Sequence, residues 1–139
     1  LGLVGSEMCI RDRLQPGELV THITLPTESS ELTGCYHKLT LRESWDFPEA
    51  GIAAAWKLNG EEISTLKIAS TGLESIPRVH DEEVAALLPE WSGKESIEIL
   101  SESLRKSIKP VSNTGLKPNY RRKMVKVLAR RCLNQIMHE

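Results

Sequence analysis

Aromatic residues, cysteines and long apolar runs are all scarce in this chain of 139 residues, which is long enough for one domain and short for two. The three cysteines are too few and too scattered for a disulfide framework or a zinc site, so a reducing, cytoplasmic compartment is expected. No run approaches the roughly 18 apolar residues of a membrane span. Apolar residues make up 40% of the chain and charged residues 27%, with a net charge of −1. These proportions predict a globular domain and exclude a disordered or membrane-embedded chain.

The first thirteen residues do not fit this domain. Residues 3–13 read LVGSEMCIRDR, which matches the conceptual translation of a transposon-based sequencing adaptor. A signal peptide is disfavoured because the apolar part is short, lacks a basic lead and contains Glu7. A genuine N-terminal strand is the alternative. We therefore expect an artefact at residues 1–13, a domain at 14–139, and a natural protein that continues upstream of Leu14.

The first half of the domain has the pattern of strands. β-branched residues dominate residues 18–25, and Pro26 ends that run because it has no N–H for a ladder. Residues 34–41 form a second candidate strand, and residues 50–58 place apolar side chains on one face at a period of two. Asn59-Gly60 is typical of a tight hairpin turn, which makes residues 63–70 the return strand. The pattern predicts a largely antiparallel sheet of about four strands.

After Pro77 the apolar period becomes that of helices. Asp81 is placed to cap a short helix over residues 82–88, and Pro89 ends it. Residues 92–108 and 119–137 carry apolar stripes at spacings of three and four. Strands followed by helices indicate an α+β fold, in which about three helices cover one face of the antiparallel sheet.

The strand that ends near Arg42 carries the most informative residues. Alternate side chains of an extended chain point to opposite sides. One side holds residues suited to a core, namely Cys35, His37, Leu39 and Leu41. The other side therefore faces solvent or a ligand, and it holds Tyr36, Lys38, Thr40 and Arg42. On the residues alone, a solvated edge with surface ion pairs and a ligand-contacting edge both remain open.

The last helix is rich in cations, with no acidic residue until Glu139: Arg121, Arg122, Lys123, Lys126, Arg130 and Arg131. One interpretation is an exposed polar face. The other is a phosphate-binding face, which would make the chain a stand-alone interaction or nucleic-acid-binding module. The slight acidity of the chain and its few aromatic rings favour the first interpretation, so no nucleic-acid partner is expected.

The sequence offers no complete active site. The four histidines show no pairing at metal-ligand spacing, and each is predicted to lie at the surface or to be partly buried. Cys35 and Cys132 fall on apolar faces, which favours burial over nucleophilic use. We therefore predict neither a catalytic residue nor a metal ligand in this chain.

Five short motifs follow one another between residues 14 and 137: Gly17-Glu18-Leu19-Val20 through Leu25-Pro26; Tyr36-His37-Lys38 with Arg42, Glu43, Ser44 and Asp46; Ile52-Ala53-Ala54-Ala55; Ile76-Pro77-Arg78 before Glu83; and Tyr120-Arg121-Arg122 with Arg130-Arg131. In this order and spacing they resemble the C-terminal domain of the FAD-binding (medium) subunit of the molybdenum hydroxylases. That family includes xanthine dehydrogenases and aerobic carbon monoxide dehydrogenases.

The resemblance implies an α+β sandwich that packs against a larger upstream domain, which holds most of the FAD. It also implies that Lys38 and Val20 contact the FAD, and that Arg42 and Asp46 belong to a loop beside the flavin. A cation near a flavin stabilises the negative charge of the reduced ring.

The resemblance further implies the partners of the domain. Besides the upstream FAD-binding domain, these are a molybdopterin-binding large subunit and a 2Fe-2S small subunit, and the FAD passes electrons from the iron–sulfur centres to an acceptor. The glycine-rich phosphate loops of the FAD-binding domain are absent from this chain. We therefore expect the chain alone to be inactive and to bind FAD weakly or not at all.

Overall fold

A computed structural model of the protein describes residues 15–43, 46–112 and 114–138. Over these residues, four strands form one antiparallel sheet in the order β1-β2-β3-β4: β1 (Thr33–Leu39), β2 (Ala50–Asn59), β3 (Glu62–Thr71) and β4 (Arg78–Val79). Three α-helices follow within the same described part: α1 (Asp81–Leu87), α2 (Lys94–Ser107) and α3 (Pro118–Ile136). Short 3-10 helices lie at Thr27–Glu31 and Leu88–Glu90. The predicted α+β fold is confirmed.

The hairpin of β2 and β3 forms where the Asn59-Gly60 turn predicts it. Gly60 has φ of +65°, a left-handed conformation that glycine adopts without steric cost. The register pairs Trp56 with Leu66, and a bulge falls between Lys57 and Leu58. The predicted bounds of these strands differ from the observed ones by one residue at most ends.

The core lies between the inner face of the sheet and the helices. On β2, the alternate residues Ile52, Ala54 and Trp56 are buried, which confirms the period-two prediction. Helix α3 lies against β1 and β2, α2 packs on α3, and α1 packs on β3. The helices contribute a set of fully buried apolar residues, which Ile108 joins just after α2: Leu100, Leu104, Val125, Leu128, Ala129, Cys132 and Leu133.

The strand predicted over residues 18–25 is wrong. These residues form no strand, and Leu19, Val20, Ile23 and Leu25 are all mostly exposed. A β-branched run needs a neighbouring strand to accept its ladder, because strand preference reflects packing on a sheet more than the backbone itself. The fourth strand is instead Arg78–Val79, which pairs with Ala69 and Ser70 of β3. The proposed artefact at residues 1–13 lies outside the described residues.

Two details at the start of α1 also differ from prediction. Asp81 is the first helical residue and not the cap, which is His80, and no side chain caps this helix. His80 is completely buried, whereas a surface or partly buried histidine was predicted. Its ring meets the Ser70 hydroxyl at 2.9 Å and the Glu83 carboxylate at 3.4 Å. Both ring nitrogens thus have polar partners, which offsets the cost of removing them from water.

None of the helices in the described part of the chain is long and apolar enough to span a bilayer.

Candidate functional site

The sheet has a second face, turned away from the helices, on which Tyr36 and Lys38 of β1 are exposed. The side chain of Tyr36 lies across Gly51 of β2, and its hydroxyl meets Thr71 Oγ1 of β3 at 3.3 Å. A Cβ at residue 51 would stand 2.5 Å from both of these oxygen atoms. The absence of a side chain at Gly51 therefore allows a flat, polar surface to form beside Lys38, which is the ladder partner of Gly51.

Lys38 projects from this surface at the point where β1 ends. Its ammonium donates to the backbone carbonyl of Asp46 at 3.2 Å. In the described part of the chain, Lys38 forms no ion pair with a carboxylate. Its charge is therefore not neutralised by an acidic side chain, and it remains exposed beside the loop between β1 and β2.

The Asp46 carboxylate organises that loop. One oxygen accepts the backbone N–H groups of Leu41 at 3.1 Å and Arg42 at 3.0 Å. The other accepts the Phe47 N–H at 3.0 Å and the Arg42 guanidinium at 3.2 Å. The hydrogen bond from Arg42 is the main reason that the pKa of Asp46 lies below its ordinary value. Asp46 is therefore ionised at neutral pH and fixes the loop beside Lys38, while the Arg42 side chain stays 69% exposed.

A buried arginine holds the base of the same loop. Arg121 is fully buried, and its guanidinium donates to the carbonyls of Glu49 and Val111 at 2.7 Å each, and to that of Gly72. Glu49 in turn donates its N–H to the Leu39 carbonyl at 2.8 Å, which closes the loop. Arg121 thus ties the start of α3 to the ends of β1, β2 and β3.

Gly72 is required at this junction for two reasons. Its φ is +71°, and a Cβ at residue 72 would stand 2.5 Å from the Pro48 carbonyl oxygen. The chain just before β2 therefore rests directly on the backbone after β3.

The predicted flavin-side residues are partly brought together. Lys38, Arg42 and Asp46 share one loop through the hydrogen bonds described above. Val20 is 60% exposed in the irregular segment before β1, and not in a strand as predicted. Leu41, assigned to the core side, is 60% exposed because β1 ends at Leu39.

The cations of α3 do not form one exposed face. Arg121 is buried, and Lys126 pairs with Glu98 at 2.5 Å and with Glu102 at 3.3 Å. Arg130 also contacts Glu98, at 3.3 Å. Acidic residues of α2 therefore neutralise the central part of the proposed phosphate-binding surface.

Two clefts lie at the other end of the sheet. One of about 590 Å³ is lined by residues around the β2–β3 turn and the end of α3, including Leu58, Ile63, Trp91 and Met137. Lys38 pairs with Gly51 at the opposite end of β2, eight residues from Asn59. Lys38 thus stands on an open surface about 26 Å from this cleft, at about 3.3 Å per residue.

The sequence analysis missed two groups of residues that meet in space. The first is Arg121 with the three loop carbonyls that it contacts. A signal for it existed in the sequence, since a cation near a helix N-terminus is unfavourable unless other groups stabilise it. The second is Cys35, His37 and Cys132, which lie close together although the two cysteines are far apart in the sequence.

Comparison with known proteins agrees with this fold. The family of CO dehydrogenase flavoprotein C-terminal domains matches residues 35–136. The glyceraldehyde dehydrogenase medium chain of Sulfolobus acidocaldarius is 28% identical over 120 residues, which cover 86% of this chain and 42% of that protein.

Solved structures show the same architecture. Reconstituted CO dehydrogenase from Oligotropha carboxidovorans superposes with a TM-score of 0.75 at 23% identity, covering 91% of this chain and 44% of that one. Carbon monoxide dehydrogenase from Hydrogenophaga pseudoflava, in a form lacking the Mo-pyranopterin moiety, gives a TM-score of 0.70 at 22% identity, covering 78% and 38%. The chain thus spans less than half the length of each of these proteins. It belongs to the family of CO dehydrogenase flavoprotein C-terminal domains.

Proposed function

We propose that this chain is the C-terminal part of the FAD-binding subunit of a molybdenum-containing oxidoreductase, and that Lys38 and its loop help to hold the FAD. The single observation that carries this proposal is the exposed ammonium of Lys38, which no carboxylate neutralises in the described residues and which stands on the sheet face turned away from the helices. Membership of a flavoprotein domain family supports FAD as the group that Lys38 would meet.

The residues present fit a flavin. Lys38 offers a cation, and Tyr36 and Thr71 form a flat surface beside it with Gly51. Such a surface suits a planar ring, and an exposed cation suits the charge that the ring gains on reduction. Bound FAD accepts electron pairs and passes them on to an acceptor.

The chain's own residues have separable roles in this proposal. Lys38 would stabilise negative charge on the ring and so raise its reduction potential. Asp46 holds Arg42 and the loop backbone in place beside Lys38. The exposed Val20 would supply an apolar contact once the segment before β1 is covered.

We further propose the partners that such a subunit requires: an upstream FAD-binding domain, a molybdopterin-binding large subunit and a 2Fe-2S small subunit. The relative from Sulfolobus is named a medium chain, which supports an assembly of several chains. Most of the FAD would be held upstream of this chain, and the chain alone would be inactive.

The test begins with the reading frame in an intact genome. Extended upstream of Leu14, it should encode a glycine-rich FAD-binding domain, and genes for the two other subunits should lie nearby. The complete subunit, when purified, should carry about one FAD per chain, whereas residues 14–139 alone should retain little or none. An upstream sequence without such a domain, or a complete subunit that binds no FAD, would overturn the proposal.

A further inference from the structure

Three side chains with strong metal affinity meet between the sheet and α3. Cys35 and His37 are two residues apart on β1, so both point to the inner face. Cys132 of α3 lies against the same place, and the two Sγ atoms and a His37 ring nitrogen all lie within 4.8 Å of one another. The cluster stands on the face opposite Lys38, and the proposed function makes no use of it.

We propose that Cys35, His37 and Cys132 form a binding site for one zinc-type divalent metal ion. Thiolate and imidazole are the ligands that Zn²⁺ prefers. With Zn–S distances of about 2.3 Å and Zn–N distances of about 2.0 Å, ligand atoms of a tetrahedral site stand roughly 3.5–3.8 Å apart. Atoms already within 4.8 Å therefore need to approach by about 1 Å, which side-chain rotation supplies.

Charge balance favours an ion at this depth. Cys132 is fully buried, while Cys35 and His37 are half-buried, so the site is open on one side. The two negative charges of the thiolates balance the charge of a divalent ion, which avoids the large penalty of burying net charge. Three protein ligands leave a fourth position, which water can fill from the open side.

In the metal-free chain the Cys132 thiol keeps its proton. Burial raises the pKa of the Cys132 thiol, and the neighbouring Cys35 raises it further. The Cys132 thiol then donates weakly to the Ile52 carbonyl, at 3.5 Å. Because a metal ion binds the thiolate form of cysteine, it would replace the thiol protons of Cys35 and Cys132, and two protons per ion would be released to solvent.

Gln135 of α3 fixes the histidine of the cluster. Its side-chain amide nitrogen lies 3.1 Å from His37 Nε2, one turn along the helix from Cys132. With a metal on Nδ1, the His37 Nε2–H would donate to the Gln135 amide oxygen once the amide is turned over, and such an acceptor sets the orientation of a metal-binding imidazole. The cluster thus combines two ligands on a strand, one ligand on a helix, and a group that orients the imidazole.

The test uses the full 139-residue chain, reduced and freed of metal, with Co²⁺ as the spectroscopic probe. We expect one Co²⁺ per chain, a near-ultraviolet thiolate-to-cobalt charge-transfer band, release of two protons, and displacement of the band by Zn²⁺. Cys35→Ser and His37→Gln should each weaken Co²⁺ binding by more than about tenfold, since even the loss of an outer partner costs that much. The matched controls Cys9→Ser and His22→Gln should leave it unchanged.

We expect substitutions at the half-buried Cys35 and His37 to disturb folding less than one at the fully buried Cys132, which is why the test uses these two positions. Thermal melting gives a second measurement, because Zn²⁺ should raise the melting temperature of the wild type and not that of Cys35→Ser. The proposal is overturned if the reduced chain shows no thiolate-to-cobalt band, if Cys35→Ser retains full affinity, or if the two thiols persist as a Cys35–Cys132 disulfide under reducing conditions.

Discussion

Replacing Arg121 by Met should destabilise this domain more than replacing any exposed cation of α3. Methionine keeps much of the length of the side chain but removes the donors to the carbonyls of Glu49, Val111 and Gly72. It also removes the cation that stands 3.8 Å from the buried Glu49 carboxylate oxygen, which has no hydrogen-bond partner. A buried charge left without its partner costs about 3–5 kcal/mol.

We therefore expect Arg121→Met to lower the free energy of unfolding by about 4 kcal/mol, a large part of the 5–15 kcal/mol typical of domains. With a urea m-value of about 2 kcal/mol/M, the unfolding midpoint should fall by about 2 M. Circular dichroism during urea titration measures that midpoint. Lys123→Met, an exposed position on the same helix, is the matched control and should change the midpoint little.

A second substitution separates the two causes. If the unpaired carboxylate dominates the loss, Glu49→Gln should restore part of the stability of Arg121→Met, whereas alone it should be destabilising. A loss under about 1 kcal/mol for Arg121→Met, or an equal loss for Lys123→Met, would refute the structural role assigned to Arg121.

Three further predictions concern stability. Trp56→Ala should cost about 3–5 kcal/mol in urea unfolding because this large side chain is fully buried, and a loss under 1 would contradict its place in the core. The hydrogen bond from Arg105 lowers the pKa of Glu102 from 4.5 to about 2, so its stabilising contribution is complete above pH 4.5 and is lost as the pH falls towards 2. Glu102→Gln should reduce the pH dependence of the urea unfolding midpoint between pH 4.5 and 2. An unchanged pH dependence would argue against the Glu102–Arg105 pair. Burial lowers the pKa of His80 below 6.5, so the unfolded chain takes up a proton first and stability should fall as the pH drops through 6.5. His80→Gln should remove that step, and a step that persists would assign it elsewhere.

The parts of the fold that sequence patterns predicted are those fixed by neighbours along the chain. The β2–β3 hairpin follows from Asn59-Gly60 and a period of two, and the same period separates Lys38 on the outer face from His37 on the inner face. Such alternation is a property of any extended chain and needs no knowledge of the tertiary structure.

The failures share one cause, which is contact between distant parts of the chain. The run at 18–25 has the composition of a strand, but no strand of the described sheet pairs with it. Arg121 has the sequence context of a surface cation, and only the meeting of three loop carbonyls around it accounts for its burial. Cys132 lies close to Cys35 although most of the domain's sequence separates them, and no rule on spacing along the chain predicts such a contact.

The central functional claim is that the Lys38 ammonium lies beside the flavin. It is tested most directly by the flavin midpoint potential of the complete subunit carrying Lys38→Met, compared with Lys67→Met as an exposed cation of the same sheet. Loss of a neighbouring charge is worth about 1–4 kcal/mol, or roughly 20–90 mV for a two-electron couple. We predict a potential lower by that amount for Lys38→Met alone. Equal potentials for the wild type and both variants would contradict the account.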